Sequence, residues 1–103
     1  MADTVVIRYE MKPETADENQ KLIEQVFAEL AETTPDGLRY TGLRLDDGVT
    51  FIHIVVTEGG VNPLAESAAF GAFQERFAER VGMKPVRAGA TVIGAYNFQL
   101  GGS

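Results

Sequence analysis

Residues 38–58 read Leu-Arg-Tyr-Thr-Gly-Leu-Arg-Leu-Asp-Asp-Gly-Val-Thr-Phe-Ile-His-Ile-Val-Val-Thr-Glu and carry the clearest structural signal in the chain. Aliphatic, β-branched and aromatic residues dominate two runs, 38–46 and 49–58, which is typical of β-strands. Between the runs lies Asp47-Gly48, a pair strongly preferred in two-residue type I′ turns. The stretch therefore predicts an antiparallel hairpin.

The register of this hairpin assigns each side chain to one face of the sheet, because successive residues of a strand point in opposite directions. If Asp46 opposes Val49, one face carries five aliphatic residues: Leu43, Leu45, Ile52, Ile54 and Val56. The other face carries a mixed set: Tyr40, Arg44, Phe51, His53 and Val55. Since the first set is the more apolar, we expect it to lie beneath helices.

The sequence before the hairpin predicts a strand followed by a helix. Residues 4–11 are β-branched and aromatic and alternate between two faces, as in a strand. Thr15 and Glu18 have the spacing of a capping box, and apolar residues then recur at helical spacing. Pro35 biases the residue before it away from helical geometry, so the helix should end there.

The sequence after the hairpin predicts a second helix and a last strand. Asn62-Pro63 is a favourable helix start, and the helix should run to about residue 81. Its apolar stripe consists of Phe70, Phe73, Phe77 and Val81. Residues 86–98 read as the last strand. The βαββαβ order predicts an α+β, ferredoxin-like fold in a single domain, residues 1–103, with a four-stranded antiparallel sheet and helices on one face.

Composition excludes several classes of protein. Fifteen acidic against nine basic residues give a net charge of -6, the wrong sign for binding a phosphate backbone, so no nucleic acid partner is expected. The chain has no cysteine and one histidine, which argues against a disulfide framework, a thiolate nucleophile and a metal site. No export signal or long apolar run is present, so we expect a cytoplasmic protein without a membrane partner.

The face assigned to His53 is too apolar to remain in water. It holds Phe51, Val55 and Tyr40, and we expect Val6 and Arg8 of the first strand to share it. Most oligomers of globular proteins are symmetric assemblies of identical chains. The sequence therefore predicts a homodimer that packs sheet against sheet.

The βαββαβ order, the Pro35-Asp36-Gly37 entry to the hairpin and the segment Ser67-Ala68-Ala69-Phe70-Gly71-Ala72-Phe73 resemble the antibiotic biosynthesis monooxygenase (ABM) family, over residues 4–98. The resemblance implies a dimeric α+β barrel with a small cavity between sheet and helices. Some members oxidise aromatic or polyketide-like substrates without flavin or metal, so it implies no cofactor. Many relatives place a histidine in the second helix where this chain has Ala69, and haem-degrading members need a tryptophan that this chain lacks.

The candidate site residues are side chains that can move a proton or hold an oxygen atom. His53 is the candidate catalytic base, because only histidine ordinarily titrates near neutral pH. Five residues are candidate substrate-binding groups: Tyr9, Tyr40, Arg44, Tyr96 and Asn97. Each also has a plain structural explanation: strand tyrosines follow from β propensity, and a lone histidine suits an interface.

Three functions remain open at this point. The first is a cofactor-independent monooxygenase that acts on a small aromatic or polyketide-like substrate. The second is a non-catalytic homodimeric binding or stress-associated protein, and the third is an isomerase or cyclase that uses the same cavity. A ligand-sized cavity with a buried polar cluster favours an enzyme, whereas a fully packed core favours a binding protein.

Overall fold

The computed structural model describes residues 2–58 and 62–97. Its strands and helices, numbered in chain order, are β1 (Ala2–Met11), α1 (Ala16–Thr33), β2 (Leu38–Arg44), β3 (Thr50–Glu58), α2 (Ala68–Gln74), α3 (Phe77–Arg80) and β4 (Val81–Ala90). Single 3-10 turns precede α1 and α2. The four strands form one antiparallel sheet in the order β2-β3-β1-β4, which confirms the predicted α+β ferredoxin-like fold.

The hairpin register is as predicted, with Gly42 opposite His53 and Leu43 opposite Ile52. The type I′ turn is wrong, because that turn needs a positive φ at both central residues and only Gly48 has one, at 81°. The Asp47 carboxylate instead accepts hydrogen bonds from the backbone N–H groups of Val49 and Thr50. The Asp47 side chain therefore stabilises a turn with one left-handed residue, Gly48, where a turn with two was expected.

The predicted assignment of the two sheet faces is also wrong. The face expected beneath the helices is the outer face, and the face of His53 lies beneath the helices. Gly42, on the face of His53, lies against α1, since a Cβ atom there would be 3.6 Å from side-chain atoms of Ile23 and Phe27. Phe51 and His53 are buried, whereas Leu43 is 44% exposed. The mixed set of side chains thus lies beneath the helices, and the aliphatic set forms the outer face of the sheet.

The predicted face is also wrong for two side chains of the first strand. Val6 and Arg8 lie opposite Ile54 and Ile52 and therefore share the outer face, not the face of His53. Their neighbours Ile7 and Tyr9 point inward, and Tyr9 belongs to the buried core. The alternation of side chains along each strand divided them correctly into two groups. It does not determine which group the helices cover.

The predicted second helix is interrupted. After α2 the backbone turns at Glu75, and Arg76 adopts a left-handed conformation with φ 58° before the single turn of α3. The last strand begins at Val81 and its pairing with β1 ends at Ala90, so the predicted bounds of 86–98 were several residues late. Among the described helices, none has the length and apolar character needed to cross a membrane.

Candidate functional site

His53 lies at the centre of a buried polar cluster on the inner face of the sheet. It is 4% exposed, and both ring nitrogens face tyrosine hydroxyl groups. The Tyr9 hydroxyl oxygen is 2.7 Å from Nε2, and the Tyr40 hydroxyl oxygen is 2.5 Å from Nδ1. Three adjacent strands supply these residues, because β3 pairs with β1 on one side and with β2 on the other. The sheet therefore fixes the imidazole between two phenols.

Asn19 extends the cluster from α1. Its side-chain amide donates a hydrogen bond of 3.0 Å to the Tyr9 hydroxyl oxygen, and its Oδ1 atom is buried without a hydrogen-bond partner among the described residues. A neutral imidazole that accepts at Nε2 carries its proton on Nδ1 and donates to Tyr40. We refer to Tyr9, Asn19, Tyr40 and His53 as the His53 cluster.

The two phenols and one neutral imidazole of the cluster supply three hydrogens, and two contacts join them at His53. In one arrangement the imidazole accepts from Tyr9 and donates to Tyr40; in the other it donates to Tyr9 and accepts from Tyr40. Tyr40 is the more exposed phenol, since Tyr9 is only 2% exposed. In the first arrangement the Tyr40 hydroxyl can donate a hydrogen bond to a further group.

Burial keeps every member of the cluster neutral. Loss of hydration lowers the pKa of His53 from 6.5 to about 4. Burial raises the pKa of Tyr9 to about 12, although the Asn19 hydrogen bond and the charge of Arg80 oppose that rise. Burial also raises the pKa of Tyr40 well above its usual value, and the nearby Tyr9 adds to this effect. At neutral pH the cluster is therefore a chain of uncharged donors and acceptors.

Aromatic rings enclose the cluster. Phe51 stacks on Tyr9 with ring centroids 5.7 Å apart, and Phe77 meets Tyr9 edge-on at 5.0 Å. Phe73 of α2 lies 5.7 Å from the His53 ring. The predicted phenylalanine stripe thus belongs to the core, and it also covers the histidine.

Arg80 is a buried cation beside these rings. It is 5% exposed, and its guanidinium donates to the backbone carbonyls of Phe73 and Glu75 at 2.5 and 2.9 Å. The guanidinium also lies over the rings of Phe73 and Phe77, at 5.9 and 5.8 Å from their centroids. Arg80 therefore caps the end of α2 and holds Phe73 in place over His53.

The remaining predicted site residues lie apart from the cluster. Arg44 donates to the carbonyl of Gly48 and to the side chains of Gln20 and Asp17, at distances from 2.7 to 3.0 Å. It binds the hairpin turn to α1. Tyr96 is 92% exposed and Asn97 is also exposed, both in the stretch that follows β4. Of the six predicted residues, the structure brings together Tyr9, Tyr40 and His53.

The sequence prediction missed two polar residues, and each had left a signal. Asn19 lies at helical spacing between Ala16 and Ile23, which are both buried, so it is a polar residue within the apolar face of α1. Arg80 follows Phe73 and Phe77 at spacings of four and three on α2 and α3. A polar side chain at a core position of an amphipathic helix is a better indicator of a buried network than the type of residue alone.

Two depressions among the described residues lie at the surface and away from the cluster. One is lined by Gly37, Leu38, Arg39, Val56 and Glu58, and the other by Asp17, Gln20, Lys21, Glu24 and Arg44. Neither includes a residue of the His53 cluster. The buried polar cluster is thus present, and both depressions lie apart from it.

Several solved structures with the same fold are named antibiotic biosynthesis monooxygenases. A candidate antibiotic biosynthesis monooxygenase from Nitrosomonas europaea superposes with a TM-score of 0.73 at 10% identity, over 89% of this chain and 90% of that one. The chain shares the fold of the antibiotic biosynthesis monooxygenases. A candidate ABM protein from Bacteriodes thetaiotaomicron gives 0.72 at 16% identity, over 96% and 95% of the two chains.

SnoaB from Streptomyces nogalater, described as a cofactor-independent oxygenase, gives a TM-score of 0.64 at 16% identity, over 94% of this chain and 98% of that one. At such identities the likeness concerns the fold. No family model matches the sequence, and no curated protein matches it.

Proposed function

We propose that the protein is a cofactor-independent monooxygenase that acts on a small aromatic or polyketide-like substrate and works as a homodimer. The observation that carries the proposal is the geometry of the His53 cluster, in which a buried imidazole lies between two phenols and Tyr40 is the more exposed of them. The similarity of the fold to that of SnoaB supports the proposed class of reaction, but it assigns no role to any residue.

The reaction that suits this chemistry starts with an electron-rich, acidic substrate such as an anthrone. Loss of a proton from the substrate CH₂ group gives an anion that reduces oxygen directly. One oxygen atom becomes the new carbonyl, and the other leaves as water with the two hydrogens of the CH₂ group. The protein must bind the substrate, accept the first proton and return it to the leaving oxygen.

The His53 cluster provides these functions through Tyr40. The Tyr40 hydroxyl donates to the substrate oxygen and stabilises the negative charge that develops there. His53 accepts a proton by way of Tyr40 in the arrangement in which its own proton is on Nε2 and faces Tyr9, because Nδ1 then accepts from the Tyr40 hydroxyl. Its pKa of about 4 disfavours the imidazolium in the empty protein, whereas a bound anion would favour it. His53 is therefore a positioning residue and proton store, and Tyr40 is the group that touches the substrate.

Oxygen uptake by the purified protein, with anthrones and quinols as substrates, tests this proposal. We expect uptake above the spontaneous rate, and a loss of about 100-fold or more in Tyr40→Phe and His53→Gln. Glu32→Gln is the matched control, because Glu32 is exposed on α1. Circular dichroism must show that each variant is folded. Uptake that is absent, or equal in all variants, contradicts the proposal; substrate conversion without oxygen uptake indicates an isomerase.

A second candidate function is favoured by the closed packing around His53. With Phe73 and Phe77 packed against the cluster, the structure also suits a binding protein in which the tyrosines only satisfy a buried histidine. A ligand-induced rise in melting temperature without turnover would identify this function.

The homodimer is supported by the outer face of the sheet, where the described residues place no helix. Its apolar residues are Val6, Leu43, Ile52, Ile54, Val56 and Val86, of which Val86 is 61% exposed. Such a face is more apolar than an isolated chain needs. A monomer mass in light scattering at micromolar concentration would contradict this part of the proposal.

A further inference from the structure

Asn19 is the member of the His53 cluster whose hydrogen bonds are incomplete. It is 0% exposed. Its Nδ2 atom donates to the Tyr9 hydroxyl oxygen at 3.0 Å, and its Oδ1 atom has no hydrogen-bond partner among the described residues. Burial of an unpaired carbonyl oxygen is unfavourable, so the position of this amide calls for a physical explanation.

The side-chain amide of Asn19 can occupy the same space in two orientations, because its oxygen atom and its NH₂ group are similar in size. In the orientation seen in the structure, Nδ2 faces Tyr9 and Oδ1 is unpaired. After a half-turn of the amide, Oδ1 faces Tyr9 and the NH₂ group is unpaired. Since each orientation leaves one end of the amide without a partner, the number of hydrogen bonds favours neither.

The orientation of the amide determines which nitrogen of His53 carries the proton. The Tyr9 hydroxyl is buried and has two hydrogen-bond neighbours among the described residues, Asn19 and His53. When Nδ2 donates to Tyr9, the Tyr9 hydrogen has His53 Nε2 as its acceptor, and any other direction leaves a buried hydroxyl hydrogen unpaired. This is the arrangement in which the imidazole proton is on Nδ1 and faces Tyr40.

The half-turn of the amide reverses every hydrogen bond in the cluster. With Oδ1 facing Tyr9, two acceptor oxygens would meet unless the Tyr9 hydroxyl donates to Asn19. Tyr9 then accepts from Nε2, and Nδ1 becomes the acceptor that faces the Tyr40 hydroxyl. Both arrangements contain the same three hydrogens of the two phenols and the imidazole, so they differ only in the direction of the bonds.

We infer that Asn19 is a positioning residue whose amide orientation selects the tautomer of His53, and thereby decides whether His53 can accept a proton through Tyr40. The catalytic part of this inference rests on the proposed function, whereas the coupling of the amide to the tautomer does not. With Nδ2 facing Tyr9, Nδ1 already carries a proton and can take none from Tyr40.

With Oδ1 facing Tyr9, the transfer of a proton from the substrate is complete and balanced. The substrate C–H proton passes to the Tyr40 oxygen while the Tyr40 hydroxyl proton passes to Nδ1 of His53. The products are the substrate anion, a neutral Tyr40 that donates to this anion, and an imidazolium. The half-turn of the Asn19 amide therefore prepares the cluster to act as a base.

The tautomer can be measured directly, because His53 is the only histidine in the chain and ¹⁵N-labelled histidine gives one pair of ring nitrogen signals. In Asn19→Asp the carboxylate only accepts hydrogen bonds, so we expect the ratio of Nε2-protonated to Nδ1-protonated His53 to rise at least about tenfold over the wild type. Asn19→Leu is the matched control. It offers Tyr9 no acceptor, so Tyr9 still donates to Nε2 and the proton stays on Nδ1. The same tautomer in both variants would overturn the inference.

Relaxation dispersion of the His53 ring nitrogens gives a second measurement that needs no buried charge. Exchange between the two arrangements should broaden these signals in the wild type on the microsecond-to-millisecond timescale, and Asn19→Leu should abolish the broadening. Circular dichroism checks that the variant is folded. Broadening that is absent from the wild type, or equal in the two proteins, would overturn the inference.

Oxygen uptake separates this inference from the proposed function, since the spectra need no substrate. In a wild type that takes up oxygen, Asn19→Leu should be at least about tenfold slower than Asn19→Asp, because Nδ1 of His53 keeps its proton in the leucine variant. Equal rates in the two variants would contradict the positioning role. An inactive wild type would contradict the proposed function, and the spectra would then decide whether Asn19 selects the tautomer.

Discussion

The face of the sheet under the helices holds a histidine and two tyrosines, whereas the face without helices holds mainly valine, isoleucine and leucine. In most half-covered sheets the aliphatic side chains lie inside and the polar ones outside. The difference indicates that the two faces have separate tasks. The inner face is made of hydrogen-bonded aromatic groups that suit chemistry, and the outer face is made of aliphatic groups that suit contact with another molecule.

The largest expected effect compares one deletion on each face. Phe51→Ala removes a 2% exposed ring that stacks on Tyr9, and it should lower the free energy of unfolding by about 3–5 kcal/mol. Leu43→Ala removes a side chain that is 44% exposed in the single chain and should cost less than about 1.5 kcal/mol at protein concentrations at which the chain is a monomer. Urea denaturation at several protein concentrations measures both. Equal losses would show that the outer face is as deeply packed as the inner one.

A smaller effect is the dependence of stability on pH. Near neutral pH this dependence should come from His53 on the inner face. Because His53 has a folded pKa of about 4 against 6.5 when unfolded, the unfolded chain binds more protons between these values. Stability is therefore complete above pH 6.5 and falls as the pH drops towards 4. Between about pH 7.5 and 5 the loss should be about 2 kcal/mol.

Urea denaturation of the wild type and of His53→Gln across this range measures the effect. The variant should have a nearly flat profile, since the carboxyl groups whose pKa is lowered, Glu29, Asp47 and Glu79, lose their contribution at lower pH. A wild-type profile as flat as that of the variant would mean that His53 is hydrated.

The smallest effect compares two neighbouring hydroxyl groups on opposite faces of β2. Tyr40→Phe removes the hydroxyl that contacts His53 Nδ1 and should cost about 1 kcal/mol. Thr41→Val removes an outer-face hydroxyl that has no hydrogen bond to the described residues, and it should change stability by less than about 0.5 kcal/mol. Thermal unfolding of both variants is the measurement. If Thr41→Val costs as much as Tyr40→Phe, the polar network is not confined to the inner face.

Local sequence patterns predicted the order of the elements and the hairpin register. Period-two alternation and the turn at Asp47-Gly48 were sufficient to place Gly42 opposite His53. The orientation of the sheet could not follow from the same patterns, because alternation defines two sets of side chains without saying which set the helices cover. The rule that aliphatic residues lie inside then selected the wrong set.

The candidate site was predicted in part for a related reason. Tyr9, Tyr40 and His53 were chosen for their chemistry, and the sheet order that brings them together is a long-range property. Asn19 reaches Tyr9 from a different element, so no local pattern connects the two. The break after Glu75 was missed because no glycine or proline marks it, and the left-handed residue there is Arg76.

Helix α2 has seven residues, too few for a helix to be stable by itself. Side chains of other segments hold both of its ends: the Glu29 carboxylate of α1 accepts from Ser67 and from the Ala69 backbone N–H, and Arg80 binds the carbonyls at the other end. The stability of α2 therefore depends on residues outside it. Its backbone amides should exchange with solvent deuterium as one group, and sooner than those of the central strands. Opening of α2 would uncover the imidazole without unfolding the sheet that holds it.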